Sequence, residues 1–350
     1  MLEHPRILAV FLTLLIGLSG CNKKAEEHHH SSLHFGTLID ITLYDVPEEK
    51  AQAAFAKLDR DFALLHTAWS PWIAGSLRRT NALIRTGKTF SVGPSVLALI
   101  EKSTPLANDT DQLFNPAIGQ LITLWQFHKI DSRNPQPPPD DAIQVLLKRN
   151  PQLSDLKIEG VKMHSTNPYV SLNFGAFAKG HAIDIEMQIL KEMGVRNAII
   201  NTGGDLKAIG THGSRPWRIA IQHPRKKTWL AQINTQNEQS VFTSGDYERF
   251  YLYKGKRYHH ILDPRTGYPA QGTQSVTVLH TDSGLADAAA TALFIAGPKR
   301  WIELARKLKL KEVMFIDSTG TVFVTPEMHE RLQFNPEIET TIVTTQSLLP

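Results

Sequence analysis

The sequence is poor in the features that announce many protein classes. There is one cysteine, Cys21, among 350 residues. A single cysteine cannot close an internal disulfide, so a disulfide-stapled scaffold is excluded. Charge is nearly balanced, with 38 Lys and Arg against 34 Asp and Glu, and the basic residues are scattered. That argues against a nucleic-acid footprint, which needs clustered Lys and Arg. No internal repeat is present, which excludes a solenoid. The glycines at 175 and 180 fit neither a P-loop nor a dinucleotide fingerprint, because Lys179 precedes Gly180 and no Gly-Lys-Ser/Thr follows. What remains is an ordinary globular composition, 41% hydrophobic and 21% charged, long enough for one large domain or two fused lobes.

The first residues read as an address. His4 and Arg6 precede the apolar run Ile7–Leu18, which is too short to span a bilayer comfortably. The run ends in Leu18-Ser19-Gly20-Cys21, which resembles the bacterial lipobox, a signal whose Cys is lipidated and becomes the first mature residue. An ordinary signal peptide that happens to carry a Cys is the alternative. We therefore expect a signal over 1–20, a polar tether over 21–32, a folded body over 33–336 and a tail over 337–350. His28-His29-His30 falls within the expected tether and is read as linker composition.

Periodicity then sets out the body. Residues 36–46 alternate as a strand, and 48–66 carry apolar residues at helical spacing. Thr67–Trp72 reads as a loop whose two tryptophans either join the core or stack on a ring. Helices are expected over 95–108 and 117–128, with a Pro-rich connection over 129–140. Short strands are expected at 169–174, 197–201, 206–209, 217–222, 229–233 and 240–243. A hairpin turning at Lys254-Gly255 follows, delivering His259, His260 and Asp263 to its end. Neighbouring strand histidines point to opposite faces, so at most one of the two should serve a given site.

Residues 281–297, TDSGLADAAATALFIAG, form a helix with both ends marked: Asp282 or Ser283 caps the start, and Gly297-Pro298 stops it. Asp287 and Thr291 lie one turn apart on one face, cleared by alanines for close approach. They are either solvated surface or a pair of hard oxygen ligands. The strand–Gly–loop–helix run at 169–193 offers backbone N–H groups to an anion, or is simply a tight connection.

Four segments in order resemble the ApbE-like flavin transferases, FAD:protein FMN transferases. They are Phe114-Asn115-Pro116-Ala117-Ile118-Gly119; Gly175-Ala176-Phe177-Ala178-Lys179-Gly180; Thr243-Ser244-Gly245-Asp246-Tyr247 with His260-Ile261-Leu262-Asp263-Pro264-Arg265-Thr266-Gly267; and Ala286-Asp287-Ala288-Ala289-Ala290-Thr291-Ala292. The likeness runs from about residue 33 to residue 330. It implies an α+β fold of two closely packed lobes, mainly antiparallel sheet flanked by helices, with FAD between them. It also implies transfer of FMN from FAD to a Thr or Ser hydroxyl of a target flavoprotein, with release of AMP and help from Mg²⁺. By position, Asp287, Thr291 and the Ala176 carbonyl would hold the metal. Phe35, Trp69, Leu113, Phe114, Asn115, Asn173, Lys179 and Leu262 would line the nucleotide, and His260 would be the base. Asn115 and Asn173 stand where many relatives carry Asp. The acceptor would be a membrane redox subunit with a short Thr-containing motif, and the enzyme would be lipid-anchored in the cell envelope at the periplasmic face of the inner membrane. A hydrolase cutting FAD into FMN and AMP, or an FAD-binding lipoprotein without turnover, would use the same residues.

Overall fold

The computed structural model describes residues 26–129 and 135–348. The expected signal sequence and Cys21 lie outside the described residues. The chain begins with two strands, β1 (Glu27–His34) and β2 (Thr37–Tyr44), then helices α1 (Glu48–Trp69) and α2 (Ser76–Ile84). Next come β3 (Phe90–Ser91), α3 (Pro94–Asp109), α4 (Gly119–Trp125) and α5 (Asp140–Arg149), and the hairpin β4 (Leu156–Glu159) and β5 (Lys162–Ser165). Helix α6 (Ala178–Glu192) leads into β6 (Ala198–Thr202), β7 (Asp205–Ile209), β8 (Arg218–Gln222), β9 (Trp229–Asn234), β10 (Gln239–Gly245), β11 (Phe250–Tyr253), β12 (Lys256–His259) and β13 (Thr273–His280). Helix α7 (Ser283–Lys307) is followed by β14 (Glu312–Asp317), β15 (Val322–Val324), α8 (Pro326–His329), β16 (Gln333–Phe334) and β17 (Ile342–Thr344).

Nine strands form one sheet in the order β1-β2-β6-β7-β10-β13-β14-β15-β17, antiparallel except for the β15–β17 pair. The expected α+β architecture of mainly antiparallel sheet flanked by helices is what the chain adopts. One face packs against α1, α3, α6 and α7 in a core that includes Ile39, Ile41, Phe62, Leu99, Ile183, Val276 and Phe294. The other face packs with β8 and β9 around Trp217, Ile219, Leu230 and Met314. Central strands are therefore covered on both sides. That is why Thr273–Leu279 of β13 is buried throughout, whereas β2 alternates along its length. A third, smaller core joins α4, α5 and the β11–β12 hairpin through Trp125, Phe127, Ile143, Tyr251 and Leu262.

Several boundaries differ from the sequence reading, for physical reasons. Residues 27–32, which composition presents as tether, belong to strand β1. His28, His30 and His34 alternate to its inner side, where His28 bonds the Val46 carbonyl just before α1 at 2.8 Å and His34 reaches Asp59 of α1 at 3.1 Å. A polar strand at a sheet edge carries no hydrophobic alternation to betray it. Trp69 is not in a loop but is the last residue of α1. Residues 169–174 form no strand, only a single bridge from Ser171 to Ile118. The helix expected over 117–128 is shorter, because Gln126 turns left-handed (φ 54°) and a 3₁₀ turn over Phe127–Lys129 follows. The helix expected over 281–297 does break at Gly297 (φ 70°), but Pro298 starts a second helical segment running on to Lys307. The tail is not featureless: β17 adds to the sheet edge.

Candidate active site

Helices α6 and α7 meet where two glycines let them. A Cβ on Gly180 would stand 2.1 Å from the Ser283 carbonyl oxygen, and one on Gly284 would stand 2.8 Å from the Phe177 ring. The alanines of α7 are buried all round the helix: Ala286, Ala288, Ala289, Ala290 and Ala292 are in the core. The start of α7 is fixed twice. Asp282 accepts from the Leu285 N–H at 2.8 Å, and Asp184 of α6 accepts from the Ser283 N–H at 2.9 Å and its hydroxyl at 2.8 Å. Two carboxylates at a helix N-terminus also suit the helix dipole. Asp287, just past the first turn, is held in this close-packed seam.

Asp287 is 6% exposed, and its Oδ2 accepts from the Gly180 N–H at 3.3 Å. Burial pushes the carboxyl up to about 7, against the pull of the nearby Lys179 ammonium. Thr291, one turn on, exchanges a hydroxyl hydrogen bond with Ser244 at 3.1 Å. Beside them Lys179 pairs with Asp205, whose second oxygen accepts from the Thr243 N–H at 2.9 Å. Burial works against the Lys179 charge, but Asp205, Asp287 and Glu248 together outweigh it and hold its pKa above the ordinary lysine value. Asp205, Asp287 and Glu248 share the one Lys179 charge and oppose one another's ionisation, a repulsion that a bound cation would relieve. Asp287 and Thr291 bring oxygen donors, as does the Ala176 carbonyl in the loop before α6, and oxygen donors suit a hard divalent ion. Among the described residues, no three His, Cys, Asp or Glu converge as a metal site. Any ion here would rest on few protein ligands, and this donor set fits Mg²⁺ in that mode.

His260 follows β12, and its N–H donates to the Arg249 carbonyl at 3.1 Å. Its Nδ1 is buried with no partner, while Nε2 stands 3.8 Å from the Glu248 carboxylate. Burial lowers its pKa well below the ordinary histidine value, and Arg249, His259 and Lys179 press the same way. His259 points elsewhere, as alternation requires. Its Nε2 bonds the Ala270 carbonyl at 2.9 Å, its Nδ1 accepts from the Ile261 N–H at 3.3 Å, and its ring packs edge-on against Phe294. Asp263 does not satisfy His260, because Arg265 occupies it in a bidentate pair.

The residues expected at the nucleotide are distributed among several surroundings. Phe35 and Trp69 are 6.3 Å apart, and the row continues through His181 and Phe177 to Phe114. The Trp69 indole N–H in this row is buried without a partner. Leu113 is buried in the main core and Leu262 in the third core. Asn115 accepts from the Ala117 N–H at 2.9 Å and donates to the Pro151 carbonyl at 3.1 Å. An aspartate could not make the second bond, which accounts for an amide at this position. Asn173 accepts from the Gly175 N–H at 2.9 Å. Asn115 lines a cavity of about 230 Å³ with Ile118, Tyr169 and Arg265; Asn173 lines one of about 430 Å³ with Trp72, Arg78 and Arg85. Neither is lined by Lys179, Asp287 or His260. Trp72, unlike buried Trp69, is partly open and lies flat on His128 at 3.8 Å. Sequence reasoning missed Asp205, Glu248, Arg249 and His181 as members of this region, because the first residue of β7, two turn residues and one position of α6 carry no signal of their own.

The sheet, the glycine-fitted helix seam and the mixed charges together define an α+β protein with a polar cluster built around one lysine and several carboxylates. The chain belongs to the ApbE family, whose profile matches residues 35–315. It is 37% identical over 326 residues to a FAD:protein FMN transferase of Rhodobacter capsulatus, covering 93% of this chain and 62% of that one. A FAD:protein FMN transferase of Vibrio cholerae is 28% identical, with 88% and 92% covered. Among solved structures, an ApbE protein of Thermotoga maritima superposes with TM-score 0.78 at 26% identity, covering 85% of this chain and 96% of that one. The flavin transferase ApbE of Vibrio cholerae superposes at 0.77 and 25%, covering 88% and 99%.

Proposed function

We propose that this chain transfers FMN from FAD to a Thr or Ser hydroxyl of a target flavoprotein, forming a phosphoester and releasing AMP. The names of its curated relatives support the reading. The observation that carries it is the meeting of Lys179, Asp205 and Asp287 at one helix seam, with His260 within electrostatic reach of Lys179. Transfer from a diphosphate needs charge neutralised at phosphorus and a hydroxyl relieved of its proton. Asp287, Thr291 and the Ala176 carbonyl would hold Mg²⁺, which when bound supplies the neutralising charge at the diphosphate. Lys179, pinned by Asp205, adds a second positive charge without freedom to drift. His260, kept neutral by its surroundings, is in the protonation state that accepts a proton from the acceptor hydroxyl.

The deciding experiment incubates the protein with FAD, Mg²⁺ and a candidate acceptor, and reads intact mass and AMP. A mass gain of one FMN with one AMP supports transfer. AMP with free FMN and an unmodified acceptor would make the chain an FAD hydrolase. Bound FAD with no AMP would make it a binding protein. As to place, we propose that Cys21 is lipidated and holds the chain at the cell envelope, on the periplasmic face of the inner membrane, with a membrane redox subunit as acceptor. Cys21→Ser should release the protein from the membrane fraction; unchanged association would sink the anchor.

A further inference from the structure

We propose that Glu248 is a positioning residue that acts through His260, as the counter-charge stabilising the positive charge the ring acquires when the acceptor hydroxyl gives up its proton. The inference rests on the transfer reading above. It starts from the turn between β10 and β11. The β11–β12 ladder pairs Phe250 with His259, and the His260 N–H bonds the Arg249 carbonyl at 3.1 Å. The ladder thus fixes residues 248–249 beside residue 260. Glu248 reaches within 3.8 Å of Nε2. Nearby carboxylates are committed elsewhere: Asp246 to Arg225 in a two-bond fork at 2.6 Å, Asp263 to Arg265, and Asp205 to Lys179. Arg249, His259 and Lys179 all oppose a positive charge on His260, and Glu248 is the group of opposite sign beside it. The side chain of Glu248 is 37% exposed, and it senses Lys179 and Arg249.

The nitrogen assignment follows. Nδ1 is buried without a partner, so Nε2 is the nitrogen an incoming hydroxyl can meet. In the step, the acceptor oxygen bonds to the FMN phosphorus, and the bond from that phosphorus to the bridging oxygen breaks. AMP leaves with the electron pair, and the hydroxyl proton passes to Nε2. The new imidazolium N–H then faces Glu248, the one counter-charge at hand among the groups named.

The test uses the full chain and compares wild type, Glu248→Gln, Glu248→Asp and His260→Ala. Glu248 favours the protonated ring, so removing its charge lowers the His260 pKa. Two consequences are expected in Glu248→Gln. The His260 imidazole resonance titrates at lower pH than in wild type. The acidic limb of the transfer rate moves down with it, while the plateau rate falls by about ten- to a hundredfold, as for a weakened base. Glu248→Asp recovers part of both, FAD binding is unchanged, and adding Glu248→Gln to His260→Ala costs nothing further. An unmoved His260 titration in Glu248→Gln overturns the pairing, as does an additive loss in the double variant. The resonance shift needs no turnover, so a shift in a protein that transfers nothing would retain the pairing and reject the transfer reading instead.

Discussion

The backbone N–H of Gly180 donates to the carboxylate of Asp287 at 3.3 Å, so the first turn of one helix supports the acidic residue of another. This bond exists because Gly180 has no side chain to hold the helices apart. Gly180→Ala would place a methyl 2.1 Å from a backbone carbonyl, which cannot rotate aside. We expect a loss of about 1–3 kcal/mol or more in unfolding free energy and a larger loss of Mg²⁺-dependent turnover. Gly284→Ala meets only the Phe177 ring edge and should cost less. Thermal melts of both variants check the order.

Asp287 is the full negative charge assigned to the cation; Thr291 and the Ala176 carbonyl are neutral. Asp287→Asn should raise the Mg²⁺ needed for AMP release far more than Thr291→Val, since charge-assisted contacts are about twice as strong as neutral ones. Titrating AMP release against Mg²⁺, with circular dichroism for folding, measures both. An Asp287→Asn curve lying on the wild-type one would remove the metal assignment.

The adjacent histidines should separate cleanly. His260→Ala should reduce transfer by about 10²- to 10⁴-fold with FAD binding retained. His259→Ala deletes a ring bonded on both nitrogens and packed on Phe294. It should instead lower stability by about 1–3 kcal/mol, seen in urea melts, with a much smaller effect on the rate per folded molecule.

Glu186 of α6 is fully buried, and neither carboxylate oxygen has a partner. Burial raises its pKa from 4.5 to about 8, with Asp61 of α1 adding to the shift and Lys57 opposing it. The folded state therefore holds the proton more tightly than the unfolded chain. Below pH 4.5 both states are protonated and no penalty exists; between 4.5 and 8 stability declines as pH rises, and above 8 the penalty is complete. Glu186→Gln removes this dependence. Relative to wild type, it should gain about 2–4 kcal/mol between pH 5 and pH 8, measured by denaturant unfolding at the two pH values.

Much of this was legible in the sequence where side chains repeat with a period or a turn demands a residue type. The start of α7, its break at Gly297, the Lys254-Gly255 hairpin and the opposite facing of His259 and His260 all follow from such rules. Strand β1 did not show itself, because its inward residues are three histidines and a serine rather than hydrophobes, with His34 bonded to Asp59 and His30 stacked on Phe55. Asp205, Glu248 and Arg249 were equally silent. Their importance comes from what the sheet places beside them, Lys179 and His260, and these neighbours are 26 and 12 positions away for the two nearest carboxylate pairs. Asn115 shows the converse. Its departure from aspartate looks like a lost charge in the sequence, but in the fold it is a donor to Pro151.

That β1 begins at Glu27 limits how far the folded body can stand from Cys21. Only residues 22–26 lie between them, and five residues at full extension reach about 18 Å. A protein anchored at Cys21 as proposed would be held almost against the lipid headgroups, unable to sample the compartment beyond. Its encounters would then be confined to a thin layer, searched by lateral diffusion. An acceptor whose Thr or Ser projects close to the same bilayer would meet it often, and a soluble acceptor of equal intrinsic affinity only rarely.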